Sequence, residues 1–153
     1  MPDKSSIFWT KRILQYLNSE WSLKPSPFAV LTGSYLTPGS NILELGCGAG
    51  QDGLWFASQG YPTTMSDYLD VGFSEISKRA SESGVEDLVQ TQIIDASNIL
   101  PYNDASFDCI YAQLSLHYFT ENFAVILLDN KGKTPKDDAK HNSAMIRFIG
   151  KKS

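Results

Sequence analysis

Cysteine is scarce in this chain: Cys47 in a glycine turn and Cys109 in an apolar run are the two instances in 153 residues. Neither spacing suggests a metal site, so we expect no metal and a reduced, cytoplasmic setting. Excess positive charge is also missing. A formal net charge of −4 leaves no electrostatic case for nucleic acid or an anionic membrane surface, and neither is expected as a partner. The longest strongly apolar run, Phe123–Leu128 (FAVILL), is far too short to span a bilayer. Met1–Arg12 carries Asp3, Lys4, Lys11 and Arg12 without a long apolar stretch, so no signal peptide is expected. Repeats and low-complexity tracts are lacking. The length suits a single domain, residues 1–153, with one core.

What is present is concentrated in Asn41–Gly53, NILELGCGAGQDG. Ile42-Leu43-Glu44-Leu45 suits a buried parallel strand. It runs into glycines at alternate positions, Gly46, Gly48 and Gly50, which allow positive φ and close approach of a ligand to the backbone. Gln51–Ser58 has apolar residues at roughly helical spacing, so a helix is expected to begin near Gln51. Strand, turn and helix N-terminus together predict a cradle that presents backbone N–H groups to a ligand. A P-loop is excluded, since no Gly-Lys-Ser/Thr follows the turn. A dinucleotide site is disfavoured, because Gln51 stands where its third glycine packs helix against strand.

The remaining pattern, Glu-x-Gly-x-Gly-x-Gly, resembles motif I of the class I S-adenosylmethionine-dependent methyltransferases. The resemblance implies an α/β, doubly wound, mostly parallel sheet (the Rossmann-like methyltransferase fold). It implies S-adenosyl-L-methionine as cofactor, with S-adenosyl-L-homocysteine as product. Glu44, Gly46, Gly48 and Gly50 would then meet the cofactor, with Asp67 and Tyr68 at its ribose and Asp95-Ala96 at its adenine. Gln113 and Leu114 would line the reacting end. The implied acceptor is a small molecule; ELGCGAGQDG and LSLHYF are most similar to members that act on small molecules or metalloids.

Read in order, Ser6–Ser19 predicts an amphipathic helix, with Trp9, Tyr16 and Trp21 packing on the sheet. Lys24-Pro25-Ser26-Pro27 breaks it, and Phe28–Leu36 predicts a second helix. In family terms, residues 1–40 are helices that partly cover the cofactor. A short strand from Pro62 ends at Asp67, 21 residues past Gly46, near the spacing at which a carboxylate meets both ribose hydroxyls. A capping role for the helix predicted at Asp70–Ser83 is the other reading of Asp67. Leu88–Ile94 predicts a third strand and Phe107–Gln113 a fourth. Beyond it His117 is the candidate general base, a structural histidine being the alternative.

The likeness covers Ile7 to about Phe119, with the Rossmann-like core at residues 41–119, and then changes character. The family's helix, turn, fifth strand and further helix are not recognisable. Residues 120–153 instead predict an antiparallel hairpin of Asn122–Asp129 and Ala144–Ile149. Seven residues of fourth strand, Phe107–Gln113, span about 23 Å, and the nine residues Leu114–Asn122 are too few for a helical crossover. The chain therefore reads as internally shortened. We expect FAVILL to pair antiparallel with the fourth strand or with a second copy, as a homodimer through the C-terminal strands. Methyl transfer impaired by the altered region, or a cofactor-binding remnant without turnover, are the two functional expectations.

Overall fold

The computed structural model describes residues 3–115 and 147–151. An N-terminal helix α1 (Lys4–Leu17) is capped by Asp3, whose carboxylate accepts the Ser6 N–H. A 3-10 turn (Glu20–Leu23) leads to α2 (Pro27–Gly33), where Ser26 caps the Ala29 N–H at 3.0 Å and Pro27 pre-sets the first helical φ. The Pro-Ser-Pro stretch is thus both a breaker and a helix start. There follow β1 (Ile42–Leu45), α3 (Gln51–Ser58), β2 (Thr63–Asp67), α4 (Phe73–Glu82), β3 (Val89–Ile93), β4 (Cys109–Gln113) and β5 (Arg147–Lys151).

The sheet order is β3-β2-β1-β4-β5, with four parallel strands and β5 antiparallel to β4. This is the expected doubly wound architecture. Chain order reverses across β1, so the switch point lies between β1 and β4, where such sheets take ligands. All four residues of β1 are buried. On one face Ile42, Cys109 and Tyr111 pack with Phe28, Ala29 and Phe56, while Leu43, Leu45 and Ala112 form the opposite core under Leu100, Tyr102 and Phe107.

Two boundaries differ from the sequence reading. Helix α4 starts at Phe73, not Asp70, because Asp67 holds the Leu69 N–H at 3.1 Å and keeps the intervening residues in a turn. The strand expected at Ala144–Ile149 lies at Arg147–Lys151, paired from Gln113↔Arg147 to Cys109↔Lys151. This limb occupies the edge of β4. The other limb, Asn122–Asp129, and His117 lie outside the described residues. Among the described residues no helix is long and apolar enough to cross a membrane.

Candidate functional site

The carboxyl ends of the four parallel strands carry the sequence-predicted residues: Gly46–Gly50 after β1, Asp67 and Tyr68 at β2, Asp95-Ala96 after β3, Gln113 and Leu114 at β4. All three glycines have positive φ, +73° at Gly46, +52° at Gly48 and +77° at Gly50. Their surroundings differ. A Cβ at Gly46 would lie 2.5 Å from that of Ser115, and one at Gly50 would strike Ile76 and Met65. At Gly48 a Cβ would meet nothing within 4 Å. Gly48 therefore faces open space, whereas its two neighbours are needed for packing.

Four of the amides of the predicted cradle, those of Gly46, Cys47, Gly48 and Gly50, are engaged within the chain. Gly46 and Cys47 both donate to the Ser66 carbonyl at 2.8 and 2.9 Å, and Gly50 donates to the Cys47 carbonyl at 2.8 Å. Gly48 N–H donates to Asp67 Oδ2 at 3.0 Å. The Asp67 carboxylate thus fastens the glycine turn to β2, and it does not cap α4, whose N-cap Gly72 has no side-chain bond. Burial raises the Asp67 pKa, partly offset by the Gly48, Leu69 and Tyr68 amides.

Behind the turn lie buried carboxyls that make no ion pair among the described residues. Glu44, Asp52 and Asp67 are each less than a tenth exposed. Burial first, and then the charges of Asp52 and Asp67, hold the Glu44 carboxyl well above its ordinary range, while the Gly53 amide lowers it. Burial, Glu44 and Asp67 likewise raise the Cys47 thiol, which makes it a poor nucleophile. Asp52 is satisfied by hydrogen bonds: it accepts from Ser26 N–H (2.7 Å), Ser26 Oγ (2.8 Å) and Tyr111 Oη (2.6 Å). Arg79 reaches the loop from α4, donating to the carbonyls of Ala49 (3.2 Å) and Ser22 (2.8 Å). Three buried acceptors, Glu44 Oε2, Gln51 Oε1 and Gln113 Oε1, have no hydrogen-bond partner among the described residues.

The remaining predicted residues are more loosely placed. Asp95 is exposed and closes its own turn, accepting from Ser97 N–H (2.9 Å), Ser97 Oγ (2.6 Å) and Asn98 Nδ2 (2.9 Å). Those bonds, Ser97's first, lower its pKa. Tyr68 is 39% exposed, with its hydroxyl 3.5 Å from Ser5 Oγ on α1. Leu114 takes φ +56°, an uncommon conformation for a branched residue, and so turns Ser115 back over Gly46, with its Oγ on the Leu45 carbonyl at 2.8 Å. Sequence reading missed Asp52, Tyr111, Ser26, Arg79, Gly72 and Ser115. Only Ser26, a cap residue before proline, carried a local signal.

A family model described as a methyltransferase domain matches residues 42–130, more than half of the chain. The chain belongs to the class I S-adenosylmethionine-dependent methyltransferases. It is 35% identical over 98 residues to the 27-O-demethylrifamycin SV methyltransferase of Amycolatopsis mediterranei, covering 60% of this chain and 34% of that one. It spans about a third of the length of the curated relatives it matches. The (4+2)-cyclase SpnF superposes with a TM-score of 0.50 at 29% identity, over 54% of this chain and 32% of SpnF. A Geobacter sulfurreducens S-adenosylmethionine-dependent methyltransferase, solved with S-adenosyl-L-homocysteine, has a TM-score of 0.53 at 24% identity, covering 68% and 43%. That last likeness speaks for the fold. S-adenosylmethionine is the cofactor of this methyltransferase family.

The residues around the glycine turn fit that cofactor on their own chemistry. The site has open space over Gly48, buried acceptors with no donor among the described residues, and three buried carboxyls behind the turn, with Arg79 held on the Ala49 carbonyl.

Proposed function

We propose that this chain binds S-adenosylmethionine at the carboxyl edge of β1 and β2 and serves methyl transfer to a small-molecule acceptor. The observation that carries this reading is the glycine turn whose Gly46, Cys47, Gly48 and Gly50 amides are engaged by Ser66, Cys47 and Asp67 and which is backed by buried acid. Such a turn suits an adenosyl ligand bearing a sulfonium and an ammonium, and repels an anionic one. The cofactor, when bound, supplies the activated methyl group on a sulfonium leaving group. The chain's part is to hold and to exclude water. Gly48 leaves room for the ligand, and Asp67 keeps unused lone pairs beyond the bonds to Gly48 and Leu69 for a ribose hydroxyl. Glu44, Gln51 and Gln113 offer unpaired oxygens, Asp95-Ala96 flanks the adenine end, and Leu114 stands at the reacting end.

Calorimetric titration tests this reading. Saturable one-to-one binding of S-adenosylhomocysteine and no heat with NAD are expected; NAD binding, or none of either, defeats it. A second reading has support of its own: a binding module without turnover. The chain matches about a third of its curated relatives' length, and a protein of this fold is named a cyclase. Incubation with labelled S-adenosylmethionine and 27-O-demethylrifamycin SV, the substrate named for one relative, separates the two. Self-association through the C-terminal strands is proposed alongside, and sedimentation of the intact chain tests it.

A further inference from the structure

Helix α4 meets the glycine turn with one face. Gly72, Ile76 and Arg79 follow at i, i+4 and i+7, the spacing that stacks residues on one side of a helix. The Gly48 carbonyl occupies the place of a Cβ at Gly72, and Ile76 fills the space beside Gly50. Arg79 takes the residue between those two glycines: its Nη1 donates to the carbonyl of buried Ala49 at 3.2 Å. Nη2 of the same guanidinium donates at 2.8 Å to the carbonyl of Ser22, in the 3-10 turn between α1 and α2. Ser22 is buried as well, with its N–H and Oγ on the Ser19 carbonyl at 3.1 and 3.0 Å. A little further on, Ser26 is held by Asp52 in the first turn of α3. The stretch from Ser22 to Ser26 is thus pinned to both helices that pack on the glycine turn. Arg79 is half-buried and makes no ion pair among the described residues; those of α4 belong to Lys78 on its exposed side. A guanidinium that spends its planar fork on two carbonyls fixes the distance between them.

We propose that Arg79 is a positioning residue of the cofactor site, which holds the glycine turn in its binding shape and ties that shape to the 3-10 turn at Ser22. The inference rests on the cofactor reading above. Ala49 follows Gly48 directly, so a carbonyl released at Ala49 frees the peptide that keeps Gly48 open to the ligand and its N–H on Asp67. Both carbonyls hang on one rigid group, so order at one end is felt at the other. A ligand that fixes Gly48 steadies Ser22, and a steady Ser22 favours the ligand by the same amount. Arg79 acts through the turn and not by touching the ligand.

Arg79→Met keeps the apolar stem and removes both donors, whereas Arg79→Lys keeps the charge without the fork. Lys78→Met, one residue away on the exposed side, loses the same charge and is the control. S-adenosylhomocysteine affinity is read by calorimetry well below each unfolding midpoint. It is expected to fall about tenfold in Arg79→Met, less in Arg79→Lys and not at all in Lys78→Met. Hydrogen exchange by mass spectrometry supplies a readout that a general loss of stability does not mimic. Saturating S-adenosylhomocysteine is expected to slow exchange at residues 46–50 and 20–24 of the wild type, and at residues 46–50 alone in Arg79→Met. Wild-type affinity in a folded Arg79→Met chain overturns the proposal, as does slowing at residues 20–24 that survives in it. Should circular dichroism show Arg79→Met unfolded, Arg79→Lys carries both readouts, and wild-type values in it overturn the proposal. A wild-type chain that takes no S-adenosylhomocysteine defeats the cofactor reading, and the unliganded chains then decide on Arg79. Faster exchange of both segments in Arg79→Met, absent from Lys78→Met, upholds the tie between the two turns; unchanged exchange defeats it.

Discussion

Gly46, Gly48 and Gly50 share left-handed backbone and have different neighbours, so the same substitution has different consequences along one turn. Alanine at Gly50 places a methyl against Ile76 Cδ1 and Met65 Cε, each 2.8 Å from the built Cβ, on top of unfavourable φ. Overpacking and left-handed strain together should destabilise by about 2–4 kcal/mol. At Gly48 the strain term stands alone, about 1–2 kcal/mol, and the methyl projects into the space assigned to the ligand. Thermal unfolding should therefore single out Gly50→Ala, while S-adenosylhomocysteine calorimetry should single out Gly48→Ala. Equal effects on stability would remove the distinction. Asp67→Ala combines both consequences. It leaves the Gly48 and Leu69 amides without their acceptor, for about 1–3 kcal/mol of stability, and removes the ribose acceptor. Sequence spacing made Asp67 visible as a ligand candidate but gave no sign of its bond to Gly48, which exists only once β1 and β2 lie side by side.

At the scale of elements, what could be read locally was read and what depends on crossing elements was not. The strands and helices follow from apolar periodicity, and their parallel order from alternation. Asp52, Ser26 and Tyr111 meet across 59 and 85 positions of sequence, on α3, at the start of α2 and on β4, and no periodicity encodes that. Their bonds fix α2 and α3 against the sheet. Tyr111→Phe deletes one of the three donors to Asp52 and should cost about 1–2 kcal/mol in urea unfolding, with S-adenosylhomocysteine affinity preserved. Gly72 is the other hidden contact. Its φ of −86° is ordinary, yet the Gly48 carbonyl occupies the place of its Cβ. Gly72→Ala must push the glycine turn out of position, at about 1–3 kcal/mol, and should weaken the cofactor analogue as well. A Gly72→Ala chain with wild-type affinity would show that the turn moves freely. The misplaced start of α4 has the same origin, since the turn before it answers to Asp67 and Gly48 and not to helix propensity.

Across the whole molecule, charge is divided unevenly between surface and interior. The ion pairs among the described residues join Lys78 to Glu75 and Glu82 on exposed α4, and they contribute little. The interior instead groups Glu44 and Asp67 beside Asp52 with no ion pair among the described residues. Burial raises the pKa of both Glu44 and Asp67, Glu44 further through the charges of Asp52 and Asp67. An acid whose folded pKa lies above its unfolded value binds its proton more tightly in the native state. The native chain thus holds more protons than the unfolded one between those values, and stability falls as pH rises through that window. Below the ordinary value of 4.5 for Glu44 both states are protonated and its contribution is complete. Glu44→Gln keeps the shape and removes the titration. It should match the wild type in urea unfolding near pH 4 and become progressively more stable than the wild type toward pH 8, flattening the decline. S-adenosylmethionine, which brings positive charge to the same place, should flatten it in the wild type and do so less in Glu44→Gln. A wild type that gains stability from pH 5 to 8 relative to Glu44→Gln would mean that the Glu44 carboxylate is paired in the folded chain, and the acid behind the turn would no longer account for a preference for a cationic ligand.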